Sequence, residues 1–300
     1  MKTIVIGAGS DLGVHIDGAS LGPTQLMNDL KGFYQGETLL FEQDEEIIKS
    51  RNLSDRRKNE FEVEKFNTQL YNAIIEKEES EYFPIVIGGD HSVSIPSALA
   101  SMKNYEQIGI IWIAAHPDYN TFESTVTGNI HGLSLAAITG YKCNELRYYH
   151  EGPTVPTSRC VVIGARNIDE AEKDNIKYAG ITVFTTQDIK ERGVKAIMDE
   201  AFKIAGFKNN GVHISFDLDV MDPEVAPGVS IPELDGLNED DAMDLNSEIM
   251  KHIEEVVSYD LIEYNPLRDM NRKTEQIAIN LLAQVLKYAK DKGKYKTITY

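Results

Sequence analysis

The stretch Ile108-Gly109-Ile110-Ile111-Trp112-Ile113-Ala114-Ala115-His116-Pro117-Asp118-Tyr119-Asn120 decides how this chain is read. Its first half is an unbroken apolar run, the pattern of a strand buried on both faces. Ala114, His116 and Asp118 follow at spacings of two. Residues two apart on a strand point to the same face. His116 and Asp118 are therefore expected to leave the strand end together, towards one site. Ala114 is expected to face that site too, but it carries no donor atom.

Outward from this stretch, short apolar strands alternate with amphipathic helical segments. Strands are predicted at Thr3–Gly7, Phe83–Ile87, Ile108–Ile113, Cys160–Gly164, Ile181–Phe184, Val212–Phe216 and Val256–Ile262. Helices are predicted at Asn59–Lys77, Ile95–Met102, Glu170–Tyr178, Gly193–Ala205, Glu239–Ile253 and Lys273–Lys290. This alternation implies parallel strands joined by crossover helices, an α/β fold. With no internal repeat and no low-complexity linker, one domain over residues 1–300 is expected, with a loose tail at 291–300. The polar residues cluster where strands end, at Gly88–Ser92, His116–Asn120, Gly164–Asp169, Asp217–Asp219 and Glu263–Pro266. Ligands of open parallel sheets bind at the carboxyl ends of the strands, so these clusters should converge.

The 300 residues, 42% of them apolar, suffice for a substantial core. Thirty basic against 48 acidic residues leave a net charge of −18. That balance argues against nucleic acid as a partner, and against anionic membranes. Cys143 and Cys160 are too few for a disulfide framework, so a reducing compartment is expected. The N-terminus runs straight into Thr3-Ile4-Val5-Ile6, without the pattern of a signal peptide. No apolar run approaches the about 20 residues that span a bilayer. A soluble, cytoplasmic protein is expected.

Asp217-Leu218-Asp219 follows a strand and places two carboxylates close together, where they repel unless a cation or protons intervene. A lone Asp-x-Asp is usually a turn or cap. Taken with His116-Pro117-Asp118 and Gly88-Gly89-Asp90-His91, it reads as a metal site. His91, His116, Asp118, Asp217 and Asp219 form an N/O donor set without thiolate. Mn²⁺, Fe²⁺ or Zn²⁺ suit it, and its many oxygens favour Mn²⁺. Two cations close together would lower the pKa of a water between them. Thr3-Ile4-Val5-Ile6-Gly7-Ala8-Gly9-Ser10 starts like a dinucleotide-binding turn. Its third glycine is displaced to Gly13, and Gly18, Gly22 and Pro23 replace the helix that should follow, so that reading is rejected.

Five segments in order resemble the arginase/agmatinase ureohydrolase family over nearly the whole chain. They are Gly88–Ser92, Ala114–Asp118, Asn129-Ile130-His131-Gly132, Ser215–Pro223 and Glu263-Tyr264-Asn265-Pro266. The resemblance implies a single three-layer α/β domain, arginase-like, with a predominantly parallel sheet flanked by helices. It implies hydrolysis of guanidino or formimino C–N bonds at two Mn²⁺ ions. It assigns His91, Asp118 and Asp217 to one ion, and His116, Asp217 and Asp219 to the other. The family's Asp-Ala-His-x-Asp begins with an Asp that bridges both metals, and that position is Ala114 here. Residues Asn120 to His131 resemble arginases rather than agmatinases. On that footing Asn120, Thr125, Thr127 and Asn129 grip an α-carboxylate, and Asp169 and Glu172 accept from an α-amino group. His131 looks like the proton shuttle, titrating near neutrality. Glu263 would pair bidentately with a guanidinium. The resemblance also implies a homo-oligomer, trimeric or hexameric, acting on a small-molecule amino acid.

The chain departs from the family elsewhere too. His131-Gly132-Leu133-Ser134 stands for His-Gly-Met-Pro. Pro227-Gly228-Val229-Ser230-Ile231-Pro232 is closer to formimidoylglutamases. The leading expectation is L-arginine hydrolysis to ornithine and urea, impaired as written by Ala114. A formimidoylglutamase-type hydrolase and a non-catalytic amino-acid-binding relative stay open as alternatives.

Overall fold

Parallel strands rich in β-branched residues need apolar cover on both faces, and crossover helices supply it. The computed structural model describes residues 2–44, 46 and 57–290. The expected loose tail at 291–300 lies outside the described residues. Its strands are β1 (Lys2–Gly9), β2 (Glu37–Glu42), β3 (Tyr82–Gly88), β4 (Ile108–Ile113), β5 (Cys160–Ala165), β6 (Thr182–Thr185), β7 (Gly211–Asp217) and β8 (Val256–Ile262). They form one eight-stranded sheet in the order β2-β1-β3-β8-β7-β4-β5-β6. Every pairing is parallel. The described helices are α1 (Gly22–Leu30), α2 (Glu60–Glu79), α3 (Ser94–Tyr105), α4 (Ser134–Thr139), α5 (Glu170–Ala179), α6 (Thr186–Arg192), α7 (Val194–Ala205), α8 (Glu239–Lys251) and α9 (Lys273–Ala289).

Strand alternation divides the interior into two cores. Along β4, Ile108, Ile110 and Trp112 pack on one side, and Ile111 and Ile113 on the other. Residues of α2, α3, α4 and α5 close the first core; residues of α1, α6, α7, α8 and α9 close the second. This is the three-layer α/β architecture expected. The predicted strands and helices are all present, with slightly shifted ends.

Four elements were not expected: β2, α1, α4 and α6. β2 has the sequence Glu-Thr-Leu-Leu-Phe-Glu and lies at the sheet edge, half-exposed along its length. Its alternating pattern lacks the apolar run that marks the central strands. α1 is the helix judged missing after Gly7-Ala8-Gly9. It begins only at Gly22, with Pro23 in its first turn, where a missing N–H costs nothing. The intervening loop folds over the sheet end instead, and Gly13 N donates to Asp90 Oδ2 at 2.9 Å. Among the described residues no helix is long and apolar enough to cross a membrane.

Between α3 and the sheet lies a buried polar stripe. Ser97 Oγ donates to Asp260 Oδ1 at 2.7 Å, and Ser101 Oγ to Glu78 Oε1 at 2.7 Å. Asn104 Nδ2 also donates to Glu78, and His213 Nδ1 lies 2.7 Å from Ser258 Oγ. Burial pushes the Glu78 carboxyl from its ordinary 4.5 up to about 7, against the opposing pull of Ser101 and Asn104. A carboxyl raised this way adds stability below its unfolded value and loses it as pH rises through about 7. The span corresponds to roughly 3 kcal/mol. Glu78→Gln should therefore gain in melting temperature over the parent on going from pH 5.5 to pH 8. A difference that stays flat across that range would show that Glu78 titrates normally.

Candidate active site

The five polar clusters sit at the carboxyl ends of β3, β8, β7, β4 and β5, which are consecutive neighbours in the sheet. At the end of β3 the backbone turns sharply through Gly89. A Cβ there would run into the carbonyl oxygen of Ser10, so only glycine allows the close approach. Asp90 then caps the short helix that carries His91, with Oδ1 accepting from Ser92 N at 2.8 Å.

His91 is fully buried and fixed on three sides. Its ring stacks on Trp112, with centroids 3.9 Å apart and planes 3° from parallel. Nε2 lies 2.8 Å from Ser215 Oγ. Nδ1 faces Asp118 Oδ2 at 2.9 Å and Asp217 Oδ2 at 3.0 Å. Neither contact has hydrogen-bond geometry, so Nδ1 is left without a true partner. Asp217 also caps the turn after β7, its Oδ1 accepting from Asp219 N at 2.7 Å. Asp219 in turn accepts from Ala115 N at 2.8 Å and faces His116 Nδ1 at 2.7 Å. One carboxylate thus organises backbone with one oxygen and faces an imidazole with the other.

The expected strand alternation stops at Ile113. Asp118 adopts a left-handed φ of 52°, which redirects its side chain. His116 and Asp118 therefore do not pair with the same partners. Asp118 meets His91, and His116 meets Asp219. Ala114 is fully buried and packs in the core on the Trp112 side.

Charge is the dominant stress here. Burial and the neighbouring Asp219 push Asp217 well above the usual carboxylate range. Burial would raise Asp219 too, but His116 outweighs it and holds Asp219 below its ordinary value. Burial opposes a charge on His91, yet Asp118 and Asp217 raise it to about 10. His131 was expected to titrate near neutrality. Burial works against its charge, but Glu263, with Nδ1 to Oε1 at 3.0 Å, lifts it to about 9.

Above these pairs opens a cavity of about 170 Å³. Asn120, Thr127, Asn129, His131, Asp169 and Glu172 line it, together with His116 and Asp118. Thr125 does not. It is buried behind the wall, where its hydroxyl accepts from Gly128 N at 3.0 Å and shapes the turn. Glu172 braces the wall as well, accepting from Tyr119 N at 2.8 Å and Asp169 N at 3.3 Å. Burial pushes its carboxyl up to about 8. Glu263 follows β8 at a left-handed φ of 69°. Its Oε1 accepts from His91 N at 2.8 Å, while Oε2 is buried with no hydrogen-bond partner.

Could these residues hold metal ions? Among the described residues no three His, Cys, Asp or Glu side chains form a ready ligand group. The donors stand in acid–imidazole pairs, opposite charges in contact. Their chemistry nevertheless fits divalent cations. The atoms are imidazole nitrogen and carboxylate oxygen, His91 Nδ1 lacks a hydrogen bond, and Asp217 and Asp219 repel one another. The groups that meet are His91 with Asp118 and Asp217, and His116 with Asp219.

Sequence reasoning missed Trp112, Ser215, Glu233, Asn167 and Arg166 as parts of this site. Arg166 donates to the carbonyls of Asp219 (2.8 Å), Val220 (3.0 Å), Glu233 (2.9 Å) and Leu234 (2.8 Å). Two loops distant in sequence are thereby tied to one guanidinium. A clamp onto backbone leaves no local motif, although Arg166 and Asn167 lie within a cluster that the strand-end pattern had singled out.

Residues 1–287 match the model of the Arginase family. The chain belongs to the arginase family. It is 32% identical to the arginase of Bacillus caldovelox, over 95% of this chain and 98% of that one. It is 34% identical to the arginase of Bacillus subtilis strain 168, over the same shares. The crystal structure of arginase from Bacillus cereus superimposes with a TM-score of 0.86 at 32% identity, covering 95% of this chain and 98% of that one. In this family member the Arg166 clamp generates a specific expectation. Arg166→Ala should cost about 2–3 kcal/mol. Amide exchange should quicken at 219–221 and 233–237 and stay unchanged in β1 and β3. Uniform loss of protection, or none, would dismiss the clamp.

Proposed function

We propose that this member of the arginase family is built to hydrolyse the guanidino C–N bond of L-arginine, giving ornithine and urea, at a site for two Mn²⁺ ions. We further propose that Ala114 impairs the chain as it stands. The observation that carries the reading is Glu263 Oε2. It is a carboxylate oxygen buried without a partner, beside His131 and at the strand end next to the acid–imidazole pairs. A guanidinium is a planar fork of N–H donors that matches a carboxylate.

Divalent cations held by His91, His116, Asp118, Asp217 and Asp219 would supply Lewis-acid activation of a water at neutral pH. The protein's own residues do the rest. Glu263 orients the guanidinium and disperses its charge. Asn120, Thr127 and Asn129 line the far wall, where amide and hydroxyl donors suit an α-carboxylate. Thr125 supports that wall from behind. Asp169 and Glu172 suit an α-ammonium group. As the water oxygen bonds to the guanidino carbon and the C–N bond breaks, the leaving amine needs a proton. His131 stands at the cavity wall to give it.

Ala114 puts a methyl group where the family resemblance implies a bridging carboxylate. With alanine there, the site would offer divalent cations one carboxylate fewer to hold them. Ile231, which lines the cavity, favours a second reading. An apolar side chain there alters the space around the scissile group and keeps a formimino amino acid as the alternative substrate. A single ureohydrolase-like domain over residues 1–300, a homo-oligomer (trimer or hexamer) and a cytoplasmic setting belong to the same proposal. The one continuous sheet and the two free, buried cysteines agree with it.

Urea release from L-arginine with excess Mn²⁺ should rise on the order of 100-fold or more in Ala114→Asp over the parent chain. If neither protein makes urea, the arginine assignment is wrong.

A further inference from the structure

The two imidazoles of the site are presented in the same way. His91 turns Nδ1 towards carboxylates and Nε2 towards Ser215 Oγ. His116 turns Nδ1 towards Asp219, and its Nε2 lies 3.4 Å from Glu233 Oε1. Asn167 Nδ2 donates to that same Glu233 oxygen at 2.6 Å and thereby sets its position. The Arg166 clamp holds the carbonyls of both Asp219 and Glu233, so the two carboxylates flanking His116 are fixed relative to each other.

A neutral imidazole has a lone pair on only one nitrogen. A cation at Nδ1 requires the proton on Nε2, and an acceptor at Nε2 selects that tautomer and raises the ligand's basicity. His91 needs little help, being 1% exposed and stacked on Trp112. His116 is 22% exposed and freer to turn.

We propose that Glu233 is a positioning residue for the second cation. It accepts from His116 Nε2, with Asn167 holding it in place, so that His116 Nδ1 faces the position beside Asp219. Glu233 does not itself reach the cation, because it meets the opposite ring nitrogen from Asp219. The inference rests on the two-cation reading and adds to it a residue outside the donor set.

The test is Mn²⁺ titration by calorimetry, with electron paramagnetic resonance of the bound ion. It uses the full chain and its Ala114→Asp form as parents, each with and without Glu233→Ala and Glu233→Gln. Glu233→Ala should weaken the second Mn²⁺ equivalent by about 10- to 100-fold. The first equivalent and the metal-free melting temperature should not change. Glu233→Gln, whose amide oxygen still accepts from Nε2, should recover part of the loss. An unchanged second equivalent overturns the role of Glu233 while leaving the two-cation reading standing. Equal weakening of both equivalents, or a fall in metal-free stability alongside, reduces Glu233 to a structural part and also overturns it. If neither parent binds a second equivalent, the inference and the two-cation reading fall together.

Discussion

Buried negative charge is the constraint on which this structure depends. Asp118, Asp217, Asp219 and Glu263 are all at most 5% exposed and stand at the ends of three adjoining strands. Removing carboxylates from water is expensive unless positive charge or N–H donors replace the water. The protein answers with imidazoles, with backbone amides, and with one oxygen, Glu263 Oε2, that it leaves unanswered. A cationic ligand is the natural complement of such a site.

The fold makes that concentration affordable by giving each carboxylate two jobs. Asp217 caps the turn that carries Asp219, and Asp219 holds the Ala115 amide. Asp90, pushed up to about 6 by burial and by Glu263, ties the loop after β1 to the loop after β3. The carboxylates beneath the cavity therefore also hold the turns that end the strands. Sheet order does the remaining work, since β3, β8, β7, β4 and β5 come from distant parts of the chain yet lie side by side.

Ala114 sits at the centre of this arrangement as a residue that offers nothing to it. Its methyl packs in the core on the Trp112 side, and His91 and His116 each face a carboxylate. At this position a small apolar residue satisfies packing.

Much of this was legible in the residues themselves. Apolar runs such as Ile108–Ile113 mark buried strands because burial on both faces makes unpaired polar residues costly, and helical periodicity marks the cover. Strand-end clusters announce a site because side chains there escape the core. Edge strand β2 was not legible, since a half-exposed strand needs no apolar run. Nor could local spacing reveal that Asp118 meets His91 while His116 meets Asp219, because a left-handed φ is set by what surrounds it. The sequence by itself determined the α/β class, the donor types and that Ala114 carries no donor atom, all of which are properties of residue identity and short-range pattern. Only the tertiary structure decided which imidazole meets which carboxylate, that Thr125 lies behind the wall, and that Arg166 and Glu233 join the site. Those facts depend on contacts between segments far apart in the chain, and no local pattern encodes them.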